Sequence, residues 1–473
     1  MHLLRYLEAN QVNLNWFPNV LYGFMLSMSV YLAAYSNLDI STDFLEEKGS
    51  FGVIDEYDFI VVGAGSAGAL LANRLSANSS YTVLLLEAGG EPHPLHMIPL
   101  FAVFLINYPE IDWQHKSVPQ KNSTFSQYHR VLLGNENEAY GVRYYHHGVE
   151  RYAHARREVI LSAGALNSAK LLLLSGIGPK EDLEELGIPV MQDLPVGRNL
   201  QDHASTYLGP FFINESISFN SDRDLTSLRL PEYLTRGTGP LTSPTTSAFG
   251  FLATDIAKSA GESDWPDIQI IFSGSAICKE CDRFIAKGFN IKEDILVKYF
   301  KNAKGRDGCM LVVSNARPKA RGDLRLQTSD PLSPALIDPK YLDNDHDLKV
   351  TVAGVKKAID IVENTTSFGE IGGHFTTEPF PGCEDVEFRS DEYWECYIRH
   401  FTVSLHHIVG TCSMGKSPET GVVDTKLRVF GTKRLRVVDA SVMPSVPVGN
   451  TNAPAIMIGE KGADLILKLW EKS

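Results

Sequence analysis

Tyr57-Asp58-Phe59-Ile60-Val61-Val62-Gly63-Ala64-Gly65-Ser66-Ala67-Gly68 decides the fold. Phe59 to Val62 is an unbroken apolar run, as a parallel strand buried on both faces requires, and it enters a glycine turn. Residues 67–76 continue with helical character, and a second buried strand is expected from Tyr81 to Leu86, ending on Glu87. Strand, glycine turn, helix and strand make a βαβ unit, the opening of a nucleotide-binding fold.

The glycines have separate tasks. Gly63 allows the tight turn, Gly65 lets backbone amides approach a pyrophosphate, and Gly68 lets helix and strand pack closely. Ser66 and Ala67 open the helix whose amides face that anion, and Glu87, about twenty residues on, suits a ribose hydroxyl. An acid there disfavours NADP, whose extra phosphate it repels. The fingerprint alone does not choose between NAD and FAD.

The 473 residues, 44% apolar and 10% aromatic, are ample for a large core, as one enzyme or two interleaved domains. A formal net charge of -13 with no basic run argues against a nucleic-acid partner. Val20 to Ala34 is apolar and followed by small residues, like the core of a signal peptide, and too short for a stable membrane span. Secretion is the expectation, with a short anchor or an uncleaved hydrophobic tail as the alternatives. The sequons at Asn78, Asn122, Asn214 and Asn364 agree with secretion but add little in a chain of this length. Of six cysteines, Cys383 and Cys396 are the first pair expected to bridge, and Cys278-Lys279-Glu280-Cys281 reads as structural rather than metal-binding. No metal site is expected, and His146 with His147 reads as an exposed loop pair.

Further blocks follow in order: Val159 to Ser168, Leu174-Ser175-Gly176-Ile177-Gly178-Pro179, Val196 to His203, Pro318-Lys319-Ala320-Arg321-Gly322, His406-His407-Ile408-Val409-Gly410-Thr411-Cys412, Val437 to Pro444 and Gly449-Asn450-Thr451-Asn452-Ala453-Pro454. With the fingerprint, they resemble the glucose-methanol-choline (GMC) oxidoreductase family, in its insect glucose-dehydrogenase-like branch, over residues 57–469. The resemblance implies FAD rather than NAD. It implies an α/β fold, with an FAD-linked Rossmann-like domain built from discontinuous segments plus a mixed α+β substrate domain. The expected divisions are a signal peptide or hydrophobic segment over 1–36, a first part of the FAD-binding domain over 57–207, a substrate domain over 208–400, and a C-terminal part over 401–473 that returns beside the N-terminal strand.

By the same resemblance His407 is the base of alcohol oxidation, and Asn450 orients the alcohol oxygen and stabilises charge on it. Histidine suits the first role because it can take a proton near neutral pH. Asp439 and Ala440 fall near the FAD diphosphate, while Asn452 and Ala453 offer backbone donors to the flavin pyrimidine edge. Asp202 and His203 read as architectural. The implied reaction oxidises a CH-OH group of a sugar or small alcohol with hydride passing to the flavin, as a dehydrogenase with a quinone-like electron acceptor.

The pattern breaks after Asp112-Trp113-Gln114-His115-Lys116-Ser117-Val118-Pro119-Gln120. Family members continue with a second glycine-rich block along the flavin and then build its lid. This chain passes through residues 121–127 directly to Tyr128-His129-Arg130-Val131-Leu132-Leu133. A nucleotide site lacking a wall binds more weakly and leaves apolar faces uncovered. The alternative reading is therefore an inactive or flavin-deficient truncated relative, whether a degenerate copy, a spliced variant or an incomplete gene model.

Overall fold

The computed structural model describes residues 56–89, 98–100, 106, 112, 128–146, 149–226 and 228–471. The apolar N-terminal segment, Asn122, His147 and the stretch where the family pattern breaks lie outside these residues, apart from Asp112.

The first sheet has strand order β2-β1-β5-β4-β3, with β14 also pairing β5. Its strands are β1 (Glu56–Val62), β2 (Val83–Leu86), β3 (Tyr128–Leu133), β4 (Ala139–His146), β5 (Val149–Leu161) and β14 (Leu435–Val437). Parallel β1 runs beside β2, with Phe59 opposite Val83, and beside β5, with Ile60 opposite Val159. Phe59, Ile60 and Val61 are fully buried, as their unbroken apolar run requires. The second strand of the βαβ unit begins later than its sequence reading, at Val83. It lies at the end of the strand order and is only partly buried, with Leu85 38% exposed. His146 closes β4 rather than sitting in a loop.

Helix α1 (Ser66–Ser76) follows the glycine turn, and α2 (Gly164–Leu174) follows β5. The terminal helix α5 (Asn452–Trp470) packs against α1, and Gly459 permits the approach: a Cβ there would lie 2.7 Å from the Ala67 carbonyl oxygen. The C-terminal strand β14 pairs with β5, with Leu435 opposite Val159, and so lies across β5 from β1 rather than beside it. β5 has room there because it is 13 residues long: its first half pairs with β4 and its second half with β1 and β14.

The second sheet has order β12-β6-β9-β8-β7, with β13 pairing β6. Its strands are β6 (Ala204–Phe212), β7 (Thr246–Leu252), β8 (Ile268–Ser273), β9 (Gly308–Asn315), β12 (His374–Phe375) and β13 (Thr402–Ser404). It thus opens before residue 208 and extends past residue 400. Helices α3 (Asp345–Asn364) and α4 (Asp391–His400) cover it; Asn344 and Ser390 cap them by accepting from the backbone N–H groups of His346 and Tyr393. The core beneath holds Phe211, Phe375, Phe380, Trp394 and Tyr397. Each such side chain contributes about 1.5–3 kcal/mol on leaving water. The small hairpin β10 (Asp323–Leu326) and β11 (Ala335–Asp338) packs Leu324, Leu326 and Ile337 into the first core, so the middle of the chain serves both halves.

Disulfides join Cys383 to Cys396 and Cys278 to Cys281. Among the described residues, no helix is long and apolar enough to cross a membrane.

Candidate active site

The ends of β1, β5 and β14 and the N-termini of α1, α2 and α5 converge on a cleft of about 500 Å³. Gly63, Gly65, Ser66, Ala67 and Glu87 line one side; Gly164, Asp439, Ala440, Asn452, His407 and Asn450 complete it. Gly68 supports the cleft from behind. Ala453 lies in the first turn of α5 and is not among the lining residues.

The glycine turn has the geometry its sequence demands. Gly63 has φ +104°, and a Cβ on it would lie 2.4 Å from the Ser162 carbonyl oxygen. A Cβ on Gly68 would lie 1.9 Å from the Gly63 carbonyl oxygen, so α1 can start where it does only without a side chain there. Gly65 is exposed, and a Cβ on it would meet nothing within 4 Å. Open space above an unobstructed backbone at a helix start is what an incoming diphosphate needs.

Glu87 accepts from the Ala64 N–H at 2.6 Å and the Gly89 N–H at 2.7 Å, so its carboxylate braces the turn while facing the cleft. The Ser66 hydroxyl donates to the Asn452 side-chain oxygen at 2.5 Å, tying the first turns of α1 and α5 together. Asp439 is buried, and burial pushes its carboxyl above the usual range against the hydrogen bonds that hold its charge. Those bonds come from the Gly164 N–H, the Ser168 hydroxyl and both the N–H and hydroxyl of Ser441. Asp439 thus fixes the start of α2 beside the cleft.

His407 sits on the other side, only 7% exposed. Burial, assisted by the neighbouring His203, lowers its pKa to about 4, so its ring is neutral at pH 7. His203 is fully buried, and its Nδ1 lies 2.9 Å from the His407 Nδ1. One Asp202 oxygen accepts from the backbone N–H groups of both histidines, each at 2.8 Å. The other takes the hydroxyls of Ser404 and Tyr341. His406, which lines the same cleft, has φ +58°, a left-handed backbone unusual for histidine. Asn450 follows Gly449, which has φ +103°, and its side-chain oxygen accepts from the Gln269 amide at 3.2 Å.

Two residues here were not legible as site residues. His203 looks architectural within its block, and Gln269 lies in a strand with no motif. The register is what brings Gln269 in: it stands opposite Ser314 of β9 and Phe251 of β7. A buried glutamine between Ile268 and Ile270 was the available signal.

A dinucleotide cradle facing a neutral histidine and an amide defines a class, the nucleotide-dependent oxidoreductases. The chain belongs to the GMC oxidoreductase family, which matches residues 113–205 and 318–459. It is 37% identical over 327 residues to glucose dehydrogenase [FAD, quinone] of Drosophila melanogaster, covering 68% of this chain and 49% of that protein. It is 30% identical to alcohol dehydrogenase [acceptor] of Pseudomonas putida, covering 87% of this chain and 96% of that protein. Its fold matches formate oxidase of Aspergillus oryzae RIB40 with a TM-score of 0.73 at 20% identity, over 88% of this chain and 99% of the other. The chain spans about half the length of the insect glucose dehydrogenases it matches. The bacterial alignment runs over 563 positions, more than the 473 residues of this chain, so stretches of that relative have no counterpart here.

FAD is the cofactor of GMC oxidoreductases. The residues present fit its diphosphate, with an open approach at Gly65 and three helix N-termini to supply N–H donors.

Proposed function

We propose that this chain is an FAD-dependent oxidoreductase that oxidises the CH-OH group of a sugar or small alcohol, with His407 as base and Asn450 as the group that orients the alcohol oxygen. The observation that carries this reading is the shared cleft: the neutral imidazole of His407 and the amide of Asn450 line the same space as the glycine cradle. Bound FAD supplies the two-electron acceptor for a hydride leaving the alcohol carbon. His407 takes the hydroxyl proton, and Asn450 donates from its amide nitrogen to the oxygen as charge grows there. Gln269 holds the Asn450 amide so that its nitrogen, not its oxygen, is left for the substrate. The names of the insect relatives support a quinone-like acceptor and dehydrogenase chemistry. The two disulfides and the apolar N-terminal segment support secretion.

A second reading, a flavin-deficient relative, is favoured by the apolar surface near the cofactor end. Ile456 and Met457 on the first turns of α5 are 41% and 58% exposed, and Leu85 on β2 is 38% exposed. The deciding measurement is a visible absorption spectrum of the purified chain with and without added FAD, followed by anaerobic titration with glucose and simple alcohols. Bound flavin that bleaches supports the oxidoreductase. A chain that neither carries nor takes up flavin is the flavin-deficient relative.

A further inference from the structure

The contact between His203 and His407 joins two nitrogens of the same kind, and only one proton can lie between them. The rings meet edge to face, 85° apart with centroids 5.2 Å apart, and the Nδ1 atoms are 2.9 Å apart. Which ring donates is decided at the far side of His203. There its Nε2 lies 3.2 Å from the Ala316 carbonyl oxygen, which can only accept. Nε2 must therefore carry hydrogen.

His203 is fully buried, and burial lowers its pKa, with Asp202 and the Ala316 and Pro447 carbonyls opposing the shift only in part. A neutral ring has one N–H. With that hydrogen on Nε2, the His203 Nδ1 is a bare acceptor, and the hydrogen between the rings belongs to His407. The reverse arrangement sets the lone pair of His203 Nε2 against that of the Ala316 oxygen in a site closed to water. A buried pair left unsatisfied in this way is disfavoured, because neither atom regains a partner from water.

We infer that His203 is a positioning residue that fixes His407 in the tautomer with its proton on Nδ1 and leaves the His407 Nε2 bare for the cleft. The inference rests on the reading of His407 as base and explains what makes that base competent. A histidine with its proton on Nε2 would present a donor to the alcohol and could not accept its hydrogen. With Nε2 bare, the alcohol O–H bond can break as the Nε2–H bond forms, and bound flavin would supply the acceptor for the hydride of the adjacent carbon, leaving a carbonyl product. His407 then holds both its hydrogens, and its Nδ1–H still donates to His203. Asp202 pins both backbones, so neither ring can drift along the contact. The other groups facing the pair are the Pro447 carbonyl beside His203, the Tyr341 and Ser404 hydroxyls, through Asp202, and His406 beside His407.

The test is nitrogen-15 NMR of the full chain labelled at histidine, with the His407 signals assigned by their disappearance in His407→Gln. At pH 7 the expected spectrum has a protonated Nδ1 and an unprotonated Nε2 on His407, whether or not flavin is bound. A wild-type His407 with its proton on Nε2 overturns the inference, and this needs no variant at position 203 to fold. His203→Leu removes the acceptor and should move the His407 proton toward Nε2, lowering kcat about 10- to 100-fold with KM and the flavin spectrum unchanged. His203→Asn, whose side-chain oxygen can accept where Nδ1 did, should restore most of both. An unchanged His407 tautomer in His203→Leu also overturns the inference. If the Nδ1–H tautomer is present but His407→Gln turns over normally, His407 is not the base and the tautomer assignment still stands.

Discussion

Glu158 of β5 and Arg436 of β14, 278 residues apart in sequence, form a two-pronged ion pair at 2.5 and 3.0 Å, with both side chains only 3% exposed. Arg436 also donates to the Lys426 carbonyl, and the Trp470 indole N–H donates to Glu158 at 2.8 Å. The pair therefore stitches the returning C-terminal segment and the last residues of α5 onto the central strand of the first sheet. A buried pair is costly to half-remove, because the surviving charge is left without water or a counter-charge.

Arg436→Met is expected to destabilise the chain by about 3–5 kcal/mol, whereas Glu158→Met with Arg436→Met together should cost much less. Urea midpoints of the single and double variants check this. A double variant as unstable as Arg436→Met would remove the pair as the cause.

Gly65→Ala and Gly68→Ala should separate folding from cofactor affinity. A methyl at Gly65 enters open space, so the melting temperature of the flavin-free chain should hold while FAD affinity falls. At Gly68 the methyl meets the Gly63 carbonyl, so both stability and affinity should fall. Thermal melts without flavin, paired with FAD titrations, give the comparison. Equal losses of stability in the two variants would contradict it.

The glycine turn was legible in the sequence because it sits in a short stretch with its own chemical logic, whereas His407 and Asn450 were singled out only by family resemblance, since a histidine beside a histidine and an asparagine after glycine read alone as structural; both line the cleft. Less legible was what lies behind them. Strand pairing brings Gln269 to Asn450, and His203, just before β6, meets His407, and neither relation has a local signature. The apparent burial of residues 81–86 misled for the same reason: Val83 to Leu86 is apolar enough for a central strand, yet it occupies the end of the strand order. Register and neighbours, rather than composition, decided these cases.

The low pKa of His407, about 4, has a sign that can be worked out. Between pH 6.5 and about 4 the unfolded chain binds a proton at this histidine and the folded chain does not. Stability from this source is thus present above pH 6.5 and lost as pH falls through that window. His407→Gln should flatten this part of the stability-pH curve, measured by urea unfolding at pH 7 and pH 5. In the wild type, kcat/KM should show no loss from protonation of His407 until well below pH 6. A fall in kcat/KM centred near pH 6.5 that persists in variants at the other histidines would reject the lowered value.

Gln269→Leu is expected to lower kcat about 10-fold by freeing the Asn450 amide, the loss of roughly one hydrogen bond in the transition state. Gln269 carries a buried side-chain oxygen with no hydrogen-bond partner among the described residues, so the same change should leave stability level or raise it. Steady-state kinetics and a melting curve on one preparation test both halves. An unchanged kcat would mean that Gln269 does not set the amide.

The hydrogen bond from Ser66 to Asn452 closes a loop of 386 residues, and Gly459 backs directly onto Ala67. A ribosome delivers the glycine turn well before the helix that covers it. At about 5–20 residues per second, roughly 20–80 s separate the two. Throughout that interval the buried face of α1 has no α5 to rest on, so the nascent chain depends on chaperones or on provisional contacts until α5 emerges.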